Sequence, residues 1–285
     1  MKIKPNAALR LSAMPFSLGC KVYNIYLQFN TALLKARYQF VYFSMGNTTM
    51  VQKQGILKRI LKGILYLFLA SLLYVVVGKF ILPPITITQV GAIIQGYGLK
   101  RDYVSWNEIS PNVKLAAIAS EDQLFPDHAG FDWKAIEKSI DDKPKRKRKK
   151  RPKGSAASTI SQQTAKNVFL WQGSGYMRYV RKAPEFFYTE AIELIWGKKR
   201  IMEVYLNVIE MGPGIFGIEA AAQAYFHKSA KNLNRQEAAM IIACLPNPKR
   251  FTVKPMSRRV SWRYPQIVKQ MNNLNGDPDV AELIR

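Results

Sequence analysis

The first 101 residues contain no aspartate or glutamate, although they hold 13 lysines and arginines. A stretch with one sign of charge cannot pair internally, so its meaning is sought in a partner or in orientation across a membrane. Cysteine is almost missing as well. Cys20 and Cys244 lie far apart in different contexts, which excludes a disulfide framework and a cysteine-based metal site. With His128 and His227 as the only two histidines, a histidine-rich metal centre is excluded too. Neither a G-x-x-x-x-G-K-[ST] loop nor a G-x-G-x-x-G between a strand and a helix occurs, so a nucleotide cradle has no support. No internal repeat is visible.

What is present suits one ordinary domain plus an appendage, or two small domains: 285 residues, 48% of them hydrophobic, enough for a sizeable core and too apolar for wholesale disorder. The formal charge is +24, a value usually read as a nucleic-acid or anionic-membrane partner. Its placement changes that reading. Residues 1–101 hold +13, and nine further positives sit in the single run Lys143 to Lys153, which leaves the rest nearly neutral.

Gly63 to Gly78 carries no charge, and Phe80, Ile81 and Leu82 extend the apolar stretch to Pro83-Pro84, where the pattern predicts the helix to stop. Counted over 63–82 this is a helix of about 30 Å, the hydrocarbon thickness of a bilayer. A buried helix or a signal peptide is the alternative, but the run is long for the latter and no small-x-small cleavage site follows. Lys53, Lys58, Arg59 and Lys62 crowd its N-terminal side. The positive-inside rule then puts residues 1–62 in the cytoplasm as a basic leader, 63–82 across the membrane, and a domain at 85–275 on the far side. Met45 and Met50 would each give a shorter leader, and residues 1–44 are read as a start-site extension. With the basic run outside the cytoplasm, nucleic acid is not expected as a partner. Membrane lipids are, at about 1 kcal/mol per basic residue near an anionic surface.

Beyond the anchor, Ile85 to Thr88 alternates like a short strand or stalk, and helical patterns follow. Lys114 to Phe125 reads as an apolar helix, and Thr159-x-x-Gln162 opens another through Phe169. One helix is predicted from Pro184 to Ile209, broken by Gly212-Pro213-Gly214. Ile218 to Phe226 follows Gly217, and Arg235 to Leu245 is capped by Asn234 and ended by Pro246. The domain is therefore predicted to be mainly α.

Three places look chemical. Glu121 and Asp122 end an apolar helix, and a carboxylate beside Ile118 and Phe125 would have the raised pKa that acid-base work near neutral pH needs; helix-end solvation, with His128 as a loop hydrogen-bonder, explains the same residues. Ser158 to Asn167 packs hydroxyls, amides and Lys166 at a helix start, suited to a sugar or phosphate, or simply to capping. Arg181, Lys182 and Glu185 could hold a pyrophosphate, or form an exposed salt bridge.

Together these segments resemble the peptidoglycan glycosyltransferases, and within them the monofunctional biosynthetic transglycosylases. Glu121 to Gly130 matches the family's E-D-Q-x-F-x-x-H-x-G, Ser158 to Asn167 its S-T-x-S-Q-Q-x-x-K-N, and Arg181 to Glu185 its R-K-x-x-E. Lys199-Arg200-Ile201 with Glu203, Tyr205 to Asn207, Gly212, Gly217 and Ala221 to Phe226 match a fourth motif, and Glu237 to Pro248 a fifth. The resemblance covers roughly residues 85–270. Two positions depart from it: Ala156-Ala157 stand where a glycine precedes the Ser-Thr pair, and Pro184 falls inside R-K-x-x-E, read here as a first-turn residue.

The resemblance implies a lysozyme-like fold and polymerisation of lipid II into β-1,4 glycan strands, with inversion and release of polyprenyl pyrophosphate, on the outer face of the inner (cytoplasmic) membrane. It implies Glu121 and Glu185 as catalytic residues. Substrate contacts fall to Asp122, Gln123, His128, Ser158, Thr159, Gln162, Gln163, Lys166, Asn167, Arg178, Arg181, Lys182 and Asn207. No cofactor is obligatory, although a divalent cation, Mg or Mn, fits the pyrophosphate chemistry, with Glu185 as its holder. A lysozyme-like hydrolase or lytic transglycosylase is the alternative reading. No S-x-x-K or K-[ST]-G precedes Arg285, so crosslinking is expected from partners: penicillin-binding transpeptidases and proteins of the divisome or elongation machinery.

Overall fold

A computed structural model of the chain describes residues 31, 35, 50–133, 137, 158–173 and 175–285; the start-site reading of 1–44 and the basic run Lys143–Lys153 fall outside them. The chain divides into two compact units, residues 1–67 and 68–285. Helix α1, Met50–Gly78, begins in the first and ends in the second. Its segment Lys58–Gly78 is long and apolar enough to cross a membrane, with mean hydropathy 2.3 and almost none of it buried. The helix stops at Gly78, short of the expected Leu82, because the chain tightens into a turn: the amides of Phe80 and Ile81 both donate to the Val77 carbonyl, at 2.9 and 3.0 Å.

The expected strand or stalk at Ile85–Thr88 is instead the start of α2, Ile87–Ile94. The Thr86 hydroxyl accepts from the Gln89 amide while the Gln89 side chain accepts from the Thr86 amide at 3.0 Å. That reciprocal cap outweighs the β-branched alternation, which is a weaker local preference.

The remaining elements are α3 Pro111–Glu121, α4 Ile160–Phe169, α5 Met177–Val180, α6 Lys182–Ile195 and α7 Lys198–Val208. They continue with α8 Ile218–Phe226, α9 Arg235–Ile242, α10 Arg258–Asn273 and α11 Pro278–Ile284. Strands β1 (Lys100–Arg101), β2 (Glu210–Gly212) and β3 (Ile215–Phe216) form a small sheet in the order β1-β3-β2. β1 runs parallel to β3 with Lys100 opposite Ile215, and β2 runs antiparallel to β3 with Glu210 opposite Phe216. The mainly α expectation holds.

The single helix expected from Pro184 to Ile209 is two. Gly197 has φ 75°, a left-handed conformation that a side chain disfavours, and it turns the chain between α6 and α7. Pro184 lies in the first turn of α6, where an absent N–H costs no intrahelical bond. Pro213 and Gly214 make the turn between β2 and β3, so the Gly-Pro-Gly motif shapes a hairpin after α7 has already ended at Val208.

The core is built around α3, whose residues Val113 to Ala119 are all buried, and α3 packs on α9, α10 and α11. A second group forms where α4 packs on α6 and α7. Ile118, Ile160, Ile201, Met202 and Leu206 are wholly buried in the common core. The end of α3 and the start of α4 meet where the two groups join.

Candidate active site

That junction is made by side-chain hydrogen bonds. Asp122 caps the C-terminus of α3, and its carboxylate accepts from the amide of Ile160, the first residue of α4, at 2.9 Å. The same carboxylate lies 3.0 Å from Nε2 of His128, while Nδ1 of that ring accepts from the Gly130 amide at 3.1 Å. An accepting Nδ1 leaves the proton on Nε2, so a neutral imidazole satisfies both contacts. Thr159 caps α4: its hydroxyl donates to the Gly130 carbonyl at 2.6 Å and accepts from Gln162, whose side chain accepts from the Thr159 amide at 2.9 Å. Two segments separated by an undescribed stretch are thereby stitched together.

The stitching aims two side chains at one place. Glu121 is the last residue of α3, and Gln163 lies in the first turn of α4. The Gln163 amide donates to Oε2 of Glu121 at 3.1 Å, and the Ser120 hydroxyl donates to its Oε1 at 3.1 Å. Gln163 is itself held, donating to the Ser158 carbonyl at 3.4 Å and accepting from the Tyr205 hydroxyl at 3.4 Å. No cation pairs directly with Glu121 among the described residues. Burial therefore dominates and raises its pKa above the ordinary 4.5, with the bonds from Gln163 and Ser120 and the charges of Arg263 and Lys166 opposing in part.

One turn along α4, Lys166 has its backbone carbonyl bonded by the Leu170 amide at 3.2 Å, while its side chain makes no hydrogen bond or ion pair among the described residues. Its pKa is lowered, chiefly by burial and then by the like charge of Arg181, against the pull of Glu185 and Glu121. Beyond it is a cation cluster. Arg181 donates to Glu185 at 3.2 Å and to the Trp171 carbonyl at 2.9 Å, and Lys182 donates to the other Glu185 oxygen at 2.6 Å. Glu185 is 2% exposed, the Lys182 side chain 46%. Two cations share this one carboxylate and Lys166 lies near them, so the cluster beside Glu121 is net positive.

The structure brings Glu121, Gln163, Lys166, Arg181, Lys182 and Glu185 together around this junction. It also gives Asp122, His128, Thr159 and Gln162 bonds that hold this junction together. Asn207 is fully buried on α7, where its amide bonds Val104 and the Glu203 carbonyl. Asn167 bonds the Gln163 carbonyl and Gln172; Gln123 is exposed and reaches only the Ala119 carbonyl. Arg178 is exposed on α5 against the Tyr179 ring. Arg263, on α10, is the electrostatic neighbour of Glu121 that sequence reading missed, since no local motif marks a residue more than a hundred positions away. The described residues do not fit a protein-held divalent cation. None of their His, Cys, Asp and Glu side chains gather in threes, and both oxygens of Glu185 are already taken by Arg181 and Lys182.

A mainly α domain with a carboxylate of raised pKa beside a cluster of cations is an arrangement suited to acid-base work on a substrate that carries an anion. Comparison with known proteins makes this specific. A family model described as Transglycosylase matches residues 88–272. A biosynthetic peptidoglycan transglycosylase of Escherichia coli (Crooks strain) is 50% identical over 193 residues, covering 67% of this chain and 77% of that protein. One from Bdellovibrio bacteriovorus is 44% identical over 224 residues, covering 76% and 86%. The chain belongs to the transglycosylase family, with the lysozyme-like domain of that family. It is a glycosyltransferase, membrane-anchored, and the lytic reading is not favoured by its relatives.

Proposed function

We propose that the chain polymerises lipid II into β-1,4 glycan strands on the outer face of the inner membrane, held by α1 with its N-terminus in the cytoplasm. The observation that carries this is the asymmetry of the two carboxylates: among the described residues Glu121 has no cation partner and its pKa is raised, whereas Glu185 is buried between Arg181 and Lys182.

In the reaction the acceptor sugar's 4-hydroxyl oxygen bonds to the anomeric carbon of the growing strand. The bond from that carbon to the pyrophosphate oxygen breaks, its electron pair leaves with the polyprenyl pyrophosphate, and Glu121 takes the hydroxyl proton. Gln163, braced by Tyr205, holds the carboxylate in line. Arg181, Lys182 and Lys166 stabilise the charge that grows on the leaving group. Glu185 positions the two cations and does not move a proton. No step is derived through a metal. Crosslinking of the strands falls to partner transpeptidases of the division or elongation machinery.

The test is purified protein with labelled lipid II in bilayers, with and without a chelator, set beside finished cell wall. Polymer from lipid II supports the proposal; soluble fragments released from cell wall, with no polymer, overturn it.

A further inference from the structure

We propose that Trp196 and Arg200 are positioning residues: they grip the end of the apolar helix and so set the height of the cleft over the bilayer, where the substrate's pyrophosphate lies. This rests on the membrane-anchored polymerase reading above.

The grip consists of two carbonyls that α1 leaves without a helical partner. The Lys79 amide donates to Val76 at 3.2 Å, one residue short of the regular acceptor Val75, and Gly78 ends the helix. Orphan carbonyls at the end of a membrane-spanning helix are costly unless something donates to them. Here the catalytic domain does. Trp196 Nε1 donates to the Val75 carbonyl at 2.7 Å, and Arg200 forks onto the Gly78 carbonyl through Nε at 3.1 Å and a terminal nitrogen at 3.0 Å. Steric fit agrees with the bonding. A Cβ built on Gly78 would come within 2.6 Å of the Trp196 ring, so only glycine lets the helix end approach this closely.

The grip falls at the corner from which both halves of the site hang. Trp196 closes α6, the helix that starts with the Arg181–Glu185 cluster, and Arg200 lies in the first turn of α7. Arg200 is fixed on its other side by Glu203 at 2.7 Å, and Glu203 accepts from the Trp106 amide at 2.7 Å. Farther along α7, Tyr205 braces Gln163, which holds Glu121. Helices are stiff on this scale, so a shift at the corner carries to both the general base and the cations. The donor's lipid chain stays in the bilayer and its pyrophosphate stays at one depth. A domain free to tilt or rise would present the cations at the wrong height.

The experiment uses the full chain in liposomes and three variants: Trp196→Phe, Arg200→Lys, and Gly78→Ala, which keeps both donors but pushes the helix end off the Trp196 ring. Each is assayed on lipid II with its long polyprenyl chain in the bilayer and on a short-chain, water-dispersed analogue. Because an ångström of misplacement costs up to about a hundredfold in rate, we expect at least a roughly tenfold loss in the bilayer and less than about twofold on the dispersed analogue. A fluorophore on the domain should also change its distance to the bilayer surface. Equal losses on both substrates would assign these residues a merely structural role, and unchanged bilayer activity with an unchanged probe distance in all three variants would overturn the proposal. Wild-type protein that fails to float with liposomes or to polymerise lipid II would instead sink the underlying reading.

Discussion

Glu121 is held by neutral donors in a place where its charge is poorly hydrated, and this has opposite consequences for chemistry and for stability. For chemistry the carboxylate must be ionised, so polymerisation should fall on acidification through a pKa above that of an ordinary glutamate; a pH-rate profile in kcat/KM reads it. For stability the raised folded-state pKa means that this group favours folding when protonated. Its contribution is present below the unfolded value and is lost as pH rises through the folded one. Glu121→Gln should therefore cut polymerisation by about a hundredfold or more while leaving Tm at neutral pH equal or higher, as a lipid II assay and thermal unfolding will show. Glu185 behaves differently, because removing it strands a buried arginine. Glu185→Gln should destabilise the fold by about 3 kcal/mol in denaturant titration and raise KM for the lipid donor.

Among the elements, α4 matters most, since its first turn bonds to the end of α3 and its second brings Lys166 to the cations. Thr159→Ala should cost about 1 kcal/mol from the cap, measured in denaturant, with Thr159→Ser recovering most of it through the retained hydroxyl. The corner between α6 and α7 depends on Gly197 at φ 75°. Gly197→Val should cost on the order of 1–2 kcal/mol, with a matching fall in Tm. The caps of α4 and α9, and Pro184 as a first-turn residue, were legible in the sequence because each is a short-range pattern. The break at Gly197 was not, since apolar residues continue at helical spacing across it. The start of α2 was misread because a β-branched alternation and a capping box overlap at Ile85–Gln89, and only the observed bonds decide between them.

At the scale of the whole molecule, the positive charge N-terminal to the apolar segment of α1 and the length of that segment are expected to govern placement. Removing residues 1–82 should release the protein from membranes in flotation, and a compartment-sensing reporter fused after Arg285 should report the non-cytoplasmic side. A cytoplasmic signal would reverse the orientation. By itself the sequence determined the helical character of the domain, the apolar helix, the order of the motifs and the family they mark, because these are set by residue type and by spacings of a few positions. Which polar residues are tied into the frame was decided only by tertiary structure. Asp122, His128 and Asn207 are polar like Glu121 and Lys166, but Asp122 and His128 are bonded to each other, and Asp122 and Asn207 also accept from backbone amides 38 and 103 residues away. Whether a carboxylate meets neutral donors, as Glu121 does, or cations, as Glu185 does, depends on which segments folding brings together, and no local pattern encodes that.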